Sequence, residues 1–321
     1  MLALILLAAS VVIRSQETDQ KAARAQEILK QTRAALGGEA NLKTIQSLLA
    51  SGSFRGSMMG RAFEGEFRLE LLLPDKLLRT IQVGGGMVTR IDAVNGPEVW
   101  SDMKQNMGMM GGLPGAGPGG PGGGLGGPGG PGGGGPGGPG GGGGGLGGEP
   151  GLGGGPGGPG MGGPGGRGSQ MNATMSPEMR KAFRDDFSRL LVALFLAPDS
   201  QFQYTWEQEV PAKGGGKADV LMVKGPEDFV LGLFIDQTTH RPLLISYRAP
   251  APPTRRPGEA ESAEPKLVDQ QLYFEDYKEV SKIMFPHKII KVSDKQMVEE
   301  WKLNRFKINP DLKPKKFEKK S

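Results

Sequence analysis

The chain has no cysteine, two histidines, three tryptophans and four tyrosines in 321 residues. The missing cysteine excludes disulfide frameworks, thiolate nucleophiles, Cys-ligated zinc and iron–sulfur clusters together. It also excludes a lipid-modified N-terminal cysteine, while leaving every compartment open. His240 and His287 form no HxH or HExxH pattern, so no histidine-built metal centre is expected. Net positive charge is confined to the end of the chain. The net charge is +5, yet eight basic and two acidic residues lie between Lys302 and Ser321, so the body is close to neutral. The tail's only aromatic after Ile308 is Phe317, which is no base-stacking platform, and nucleic acid is not expected as a partner.

Glycine is abundant, and nearly all of the excess lies in one place. Of 56 glycines, 40 fall between Gly108 and Gly168, together with 11 prolines and only two charges, Glu149 and Arg167. Residues 108–168 therefore read as a disordered Gly/Pro-rich insert, too poor in apolar side chains to offset the entropy of ordering. The proline spacing changes triplet frame between Pro118, Pro128 and Pro156, which breaks the register of a collagen helix. Outside the insert the composition is that of an ordinary globular chain.

The apolar run Leu2–Ile13 is too short for a bilayer span, which needs roughly 20 residues. It fits the apolar region of an export signal, with the charged n-region missing at its start. Residues 1–15 are accordingly expected to be a signal peptide and the protein to be exported, to the periplasm or cell envelope of a bacterium.

From Asp19 to Leu36, apolar residues recur at three- and four-residue steps (Ala22, Ala25, Ile28, Leu29, Leu36) and end at Gly37-Gly38, the signature of a helix and its left-handed stop. Strand patterns follow. In Ala62–Leu73, Phe63, Phe67, Leu69 and Leu71 alternate with Glu64, Glu66, Arg68 and Glu70, as in an antiparallel strand with one wet face. Lys76–Val83, Gly86–Val94 and Pro97–Ser101 continue the meander, with Asn95-Gly96 as a tight hairpin turn. After the insert, Ser176-Pro177-Glu178 opens a second helix with a capping serine and an N1 proline, and Phe183, Phe187, Leu190, Leu191 and Leu194 give it a broad apolar face. Seven further strand segments run from Phe202 to Ile308. Helices do not alternate with strands, which argues against a parallel doubly wound sheet. A single antiparallel sheet of some ten strands would curl, with two helices available to cover its concave side.

No catalytic constellation appears. The GxGxxG matches in the insert follow no strand into a helix. Gly214-Gly215-Gly216-Lys217 lacks the Ser/Thr of a phosphate loop and reads as a hairpin tip. Asp185-Asp186, Glu275-Asp276 and Glu299-Glu300 read as solvated surface. Catalytic residues, metal and cofactor are each expected to be absent.

The order of several short segments resembles the outer-membrane lipoprotein carrier (LolA/LolB-like) superfamily, in its lipoprotein-sorting and exported branches. The segments are Ala35-Leu36-Gly37-Gly38 with Leu42 and Ile45, Pro74-Asp75-Lys76 with Arg79, and Asn95-Gly96 with Trp100. They continue with Phe234-Ile235-Asp236 before Pro242, Tyr273-Phe274-Glu275-Asp276-Tyr277 with Phe285-Pro286, and Ile308-Asn309-Pro310 with Phe317. The resemblance implies an unclosed antiparallel β-barrel whose helices lid a hydrophobic cavity for acyl chains. No functional residue of the family is carried over.

The expected fold is therefore α+β, a strongly curved, mostly antiparallel sheet (an unclosed β-barrel) covered by two helices. One discontinuous domain occupies 16–107 and 169–310, followed by a basic tail, 311–321. The expected function is non-enzymatic binding or carriage of lipid or lipoprotein acyl chains. The cavity candidates are Phe63, Phe67, Leu69, Leu71, Trp100, Phe187, Leu191, Leu194, Tyr204 and Trp206. The tail reads as a solvated, frayed terminus whose lysines can touch anionic membrane. The alternative is a cell-envelope scaffold with a packed barrel and the insert as a contact loop.

Overall fold

A computed structural model describes residues 2–58, 61–105, 175–196, 201–250 and 266–319. Side chains are described from Glu17 onward, so the side chains of the expected signal segment lie outside the described residues, as does the Gly/Pro insert. The described residues belong to one compact unit.

Twelve strands form one sheet in which every pair is antiparallel: β1 (Ser47–Met58), β2 (Arg61–Leu72), β3 (Lys76–Val83), β4 (Val88–Asn95), β5 (Glu98–Gln105), β6 (Gln203–Pro211), β7 (Lys217–Lys224), β8 (Val230–Asp236), β9 (Pro242–Pro250), β10 (Leu267–Val280), β11 (Ile283–Ser293) and β12 (Gln296–Ile308). Their spatial order is β5-β4-β3-β2-β1-β12-β11-β10-β9-β8-β7-β6. Two meanders are thus joined by the β1–β12 ladder, in which Leu48 faces Ile308 and Phe54 faces Trp301. The two edge strands, β5 and β6, are consecutive in sequence. The chain between them holds the insert and helix α3 (Pro177–Phe195).

The expected fold class holds, with one strand more than the pattern showed. β1 escapes a sequence reading because Ser51, Ser53 and Ser57 dilute it and Gly52 and Gly56 leave gaps on its apolar face. Its buried residues Leu48, Ala50 and Phe54 nevertheless alternate, as one buried face of a strand requires. Gly52 lies where the β1–β12 register shifts. A Cβ there would strike the Lys302 carbonyl, so only glycine fits this bulge.

Helix α1 (Leu2–Ala35) is longer than its pattern indicated, since the helix runs without interruption through the upstream apolar segment. It packs along β6. Ala25, Ile28, Leu29 and Leu36 are buried, and the Arg24 guanidinium reaches the Asp219 carboxylate at 3.6 Å. Gly37 and Gly38, with φ of 122° and 89°, end the run. A short helix α2 (Glu39–Lys43) leads into β1. Among the described residues no helix is long and apolar enough to cross a membrane.

Helix α3 starts at Ser176, whose Oγ accepts the Met179 N–H at 3.2 Å, and ends at Leu196 in the left-handed region. It packs against β4 and β5 on one arm of the sheet and β9 on the other. One helix can touch both arms only because the sheet curls around it, and α3 therefore lies on the concave face.

The C-terminal segment differs from the frayed terminus that its charge pattern implied. A 3-10 turn (Pro314–Phe317) docks on the outer face of β3 and β4. Phe317 is fully buried there, with Leu78 and Ala93 beneath it and Leu72, Ile91, Trp100 and Leu312 around it. Lys316 Nζ lies 2.7 Å from the buried Glu70 carboxylate.

Candidate functional site

Strand parity decides what the concave face presents. On β2, Phe63, Phe67, Leu69 and Leu71 point inward, as their alternation required. Phe67 stacks on Trp301 of β12, with ring centroids 4.6 Å apart, and Phe63 tilts against Phe54 at 5.5 Å. Phe187 on α3 joins the same core, as do Tyr204 on β6 and half-buried Leu191 and Trp206. Leu194 is buried on α3.

The ten candidates are not one group. Tyr204 and Trp206 lie on β6, where α1 packs, and Trp206 Nε1 donates to Asp219 at 2.9 Å. Trp100 is not on the concave face. In β5 it stands opposite Ala93, one residue from inward-facing Val99, so it points outward, and its Nε1 donates to the Phe317 carbonyl at 2.8 Å. Its apolar bulk seals the tail onto the sheet.

The inward parity of β3, β4 and β5 is not purely apolar. Leu69 faces Arg79, Arg79 faces Asp92, and Asp92 faces Ser101. Asp92 is fully buried. Its Oδ2 accepts from Arg79 Nη2 at 2.9 Å and Nε at 3.1 Å. Its Oδ1 accepts from Arg90 Nε at 3.0 Å and Ser101 Oγ at 2.8 Å. Burial alone would favour a neutral acid, but Arg79 and Arg90 outweigh it and hold the carboxyl below the usual range. Burial likewise opposes the charge on Arg79, and the carboxylates of Asp92, Glu299 and Asp186 push its pKa up regardless. The Phe183 ring of α3 covers both guanidiniums, at 5.6 Å from Arg79 and 5.9 Å from Arg90, within cation–π range.

A second polar group lies under the same helix. Asp186 Oδ1 accepts from Arg189 Nη1 at 2.7 Å, and Lys291 Nζ of β11 lies 3.9 Å from Asp186. The pair reverses the reading of Asp186 as solvated surface. One step round the helix from the Phe183–Phe187–Leu190 stripe, it points at the sheet while staying about a third exposed. Burial raises the pKa of Asp186, yet Lys291, Arg189 and Arg79 lower it further than burial raises it. Asp186 in turn raises that of Lys291 against burial. Arg189 is buried, with its guanidinium 3.7 Å above the Tyr247 ring of β9. Burial, and then Asp186, push the Tyr247 hydroxyl up. Glu299 faces Lys291 across the β11–β12 ladder and accepts from Trp301 Nε1 at 3.2 Å.

The α3–sheet interface is therefore mixed. Phe183, Leu191 and Phe195 of α3 and Ile81 of β3 are only partly buried, and Phe183 covers one of the two ionic groups. Sequence reading missed those groups because the strands were judged by overall alternation. The signal was the sequence parity Leu77-Arg79-Ile81-Val83 and Val88-Arg90-Asp92-Val94, which places charges on the apolar side. Among the described residues no group of three or more His, Asp or Glu is placed to hold a metal ion.

Two depressions open on the outer side. One, of about 500 Å³, is lined by Ser51, Glu66, Arg68, Thr80 and Gln82 among others. Its neighbour, of about 550 Å³, is lined by Lys278, His287, Lys288 and Lys302. Both are lined mainly by residues of polar or charged type and share Ser53 and Asn304.

No protein-family pattern and no curated protein sequence matches the chain. Solved structures do. The chain is similar to a Vibrio parahaemolyticus domain named for outer-membrane lipoprotein sorting (10% identity, TM-score 0.43). It is also similar to a DUF1329 family protein from Desulfovibrio piger (9%, 0.44) and to a LolA superfamily protein from Nitrosomonas europaea (12%, 0.41). In each case 92% of this chain and 97% of the other is covered.

Proposed function

We propose that this is an exported, non-enzymatic protein of the bacterial cell envelope that binds or carries lipid or lipoprotein acyl chains between α3 and the concave face of the sheet. The observation that carries the reading is the character of the α3 interface. Under α1 the helix side is small and aliphatic, with Ala25, Ile28 and Leu29 buried, beside Tyr204, half-buried Trp206 and the Arg24–Asp219 pair. Under α3, half-exposed aromatic and aliphatic groups lie beside partly hydrated ion pairs, and such an interface separates more readily than a dry one. Separation uncovers Ile81, Phe183 and Leu191, a surface suited to an alkyl chain, with burial contributing about 25 cal/mol per Å² before association costs. The test is organic extraction of the purified protein followed by mass spectrometry, with delipidated protein offered a fluorescent fatty acid. Co-purifying or acquired acyl lipid supports the reading, and protein that neither carries nor takes up lipid refutes it.

A second reading is favoured by a different observation. Phe67, Leu69, Leu71, Phe187, Leu194 and Tyr204 are already buried against protein. A packed barrel acting as an envelope scaffold, with 108–168 as its contact loop, accounts for that. Deleting 108–168 separates the two. Retained lipid binding with lost envelope association favours the scaffold. In either reading, Lys313, Lys315 and Lys319 are exposed and available to anionic membrane, with Phe317 as the fixed anchor behind them.

A further inference from the structure

Buried polar atoms in folded proteins are almost always paired, and two unpaired ones face the same residue here. Arg189 Nε and Gln270 Oε1 are fully enclosed and have no hydrogen-bond partner. Arg189 projects from α3 onto the Tyr247 ring at 3.7 Å. Gln270 on β10 stands directly opposite Tyr247 on β9, which puts their Cβ atoms about 5 Å apart on one face. Gln270 Nε2 donates to Ser293 Oγ at 2.8 Å, which leaves Oε1 as the spare atom. The Arg189 fork is fixed by Asp186 at 2.7 Å and Asp185 at 3.7 Å, so Nε–H is its spare donor. One donor and one acceptor thus flank a buried tyrosine, under the helix whose interface is the least sealed.

We infer that Arg189, Tyr247 and Gln270 form a polar subsite that takes the head of a neutral acyl ester: the ester carbonyl on Arg189 Nε–H and a neighbouring hydroxyl on Gln270 Oε1. This rests on the proposed acyl-chain binding and names the chemistry of its ligand. Charge selects a neutral head over a carboxylate. Asp185 and Asp186 already balance Arg189, and Lys291 has Asp186 beside it and Glu299 across the ladder. A bare anion would meet these carboxylates and find no uncompensated cation. A plain hydrocarbon would leave donor and acceptor unpaired, which a buried site disfavours. Both atoms are enclosed with α3 in place, so the ligand reaches them only as α3 lifts.

The test uses the full-length, delipidated protein and three probes of equal chain: 1-monopalmitoylglycerol, methyl palmitate and hexadecane. Each displaces a fluorescent reporter. The expected order of affinity is monopalmitoylglycerol, then methyl palmitate, then hexadecane, each step about tenfold, the worth of one buried hydrogen bond. Arg189→Lys keeps the charge beside Asp186 but removes Nε–H, and should weaken both esters about tenfold. Gln270→Met should weaken only monopalmitoylglycerol. Neither should change hexadecane. Urea midpoints check that the variants fold, and either variant alone suffices if the other does not. Equal affinities for the three probes, or variants that bind monopalmitoylglycerol like the parent, overturn the inference while leaving chain binding intact. Failure of all three probes, hexadecane included, overturns the chain-binding reading as well.

Discussion

Lys291 on β11 reaches Asp186 on α3 across 3.9 Å, and this pair fastens the helix to the far arm of the sheet. On the near arm, Phe183 lies over Arg79 and Arg90. The helix that bridges the two edge strands is thus held at both sides by contacts that tolerate water.

Asp186→Asn should loosen α3 more than it destabilises the fold. The pair is partly exposed, so its worth is about 1 kcal/mol or less. Hydrogen exchange should quicken in 177–195 while β1 and β2 stay protected. Uniform quickening across the sheet would contradict a local role.

Asp92→Ala should be far more damaging. It leaves Arg79 buried opposite an empty acceptor, and breaking a buried pair on one side costs roughly 3–5 kcal/mol. Denaturant unfolding measures this, and a loss below about 1 kcal/mol would mean that Arg79 finds another partner.

Acid should destabilise the protein through the same groups. Asp92 and Asp186 are held below the ordinary carboxylate range. Their contribution is therefore present above the unfolded value of about 3.9 and is lost as pH falls through the depressed folded values. Lys291 is raised, so its contribution holds up to about pH 10.4 and fades as pH rises through the higher folded value. Urea midpoints should be flat from about pH 5 to 9 and drop below about pH 4. Asp186→Asn should shallow the acid limb, and a midpoint that rises between pH 5 and 3 would contradict the assignment.

Phe317→Ala should release the C-terminal segment from Trp100. Truncating a buried phenylalanine costs about 3–5 kcal/mol in a core, but this cluster is small and superficial, so the loss should be local. Exchange should rise in 310–319 and on the outer face of β3 to β5, and Trp100 fluorescence should shift to the red. Unchanged Trp100 emission would show that the tail is held by Lys316 and Glu70 instead.

Sequence and structure agree wherever one physical rule acts alone. The alternation in β2, the Gly37-Gly38 stop, the Ser176-Pro177 cap and the antiparallel meander are local patterns, and each appears where it was expected. The disagreements arise where two rules compete. Trp100 looked like a cavity aromatic because size was weighed and parity was not. Asp186 looked solvated because carboxylates usually are, but Lys291, distant in sequence, brings it inward. Phe317 looked like part of a frayed tail because lysines surround it, and only the folded sheet supplies the apolar patch beneath. β1 was hidden because glycine and serine satisfy the bulge and the wet face while carrying little strand signal. In the candidate site, the apolar half was legible from period-two patterning, whereas the paired charges depend on the curl that brings β3, β11 and α3 together.

The three tryptophans allow the central claim to be tested by position. Trp301 lies on the concave face beneath Phe67, while Trp100 lies on the outer face against the tail. Two variants, each with Trp206→Phe and one further Trp→Phe change, leave a single reporter on one face. Titration with the methyl ester of doxyl-labelled stearic acid should quench Trp301 strongly and leave Trp100 nearly unchanged, because an acyl chain between α3 and the sheet lies within reach of the first alone. Quenching of Trp100 without Trp301, or of neither, would contradict binding on the concave face.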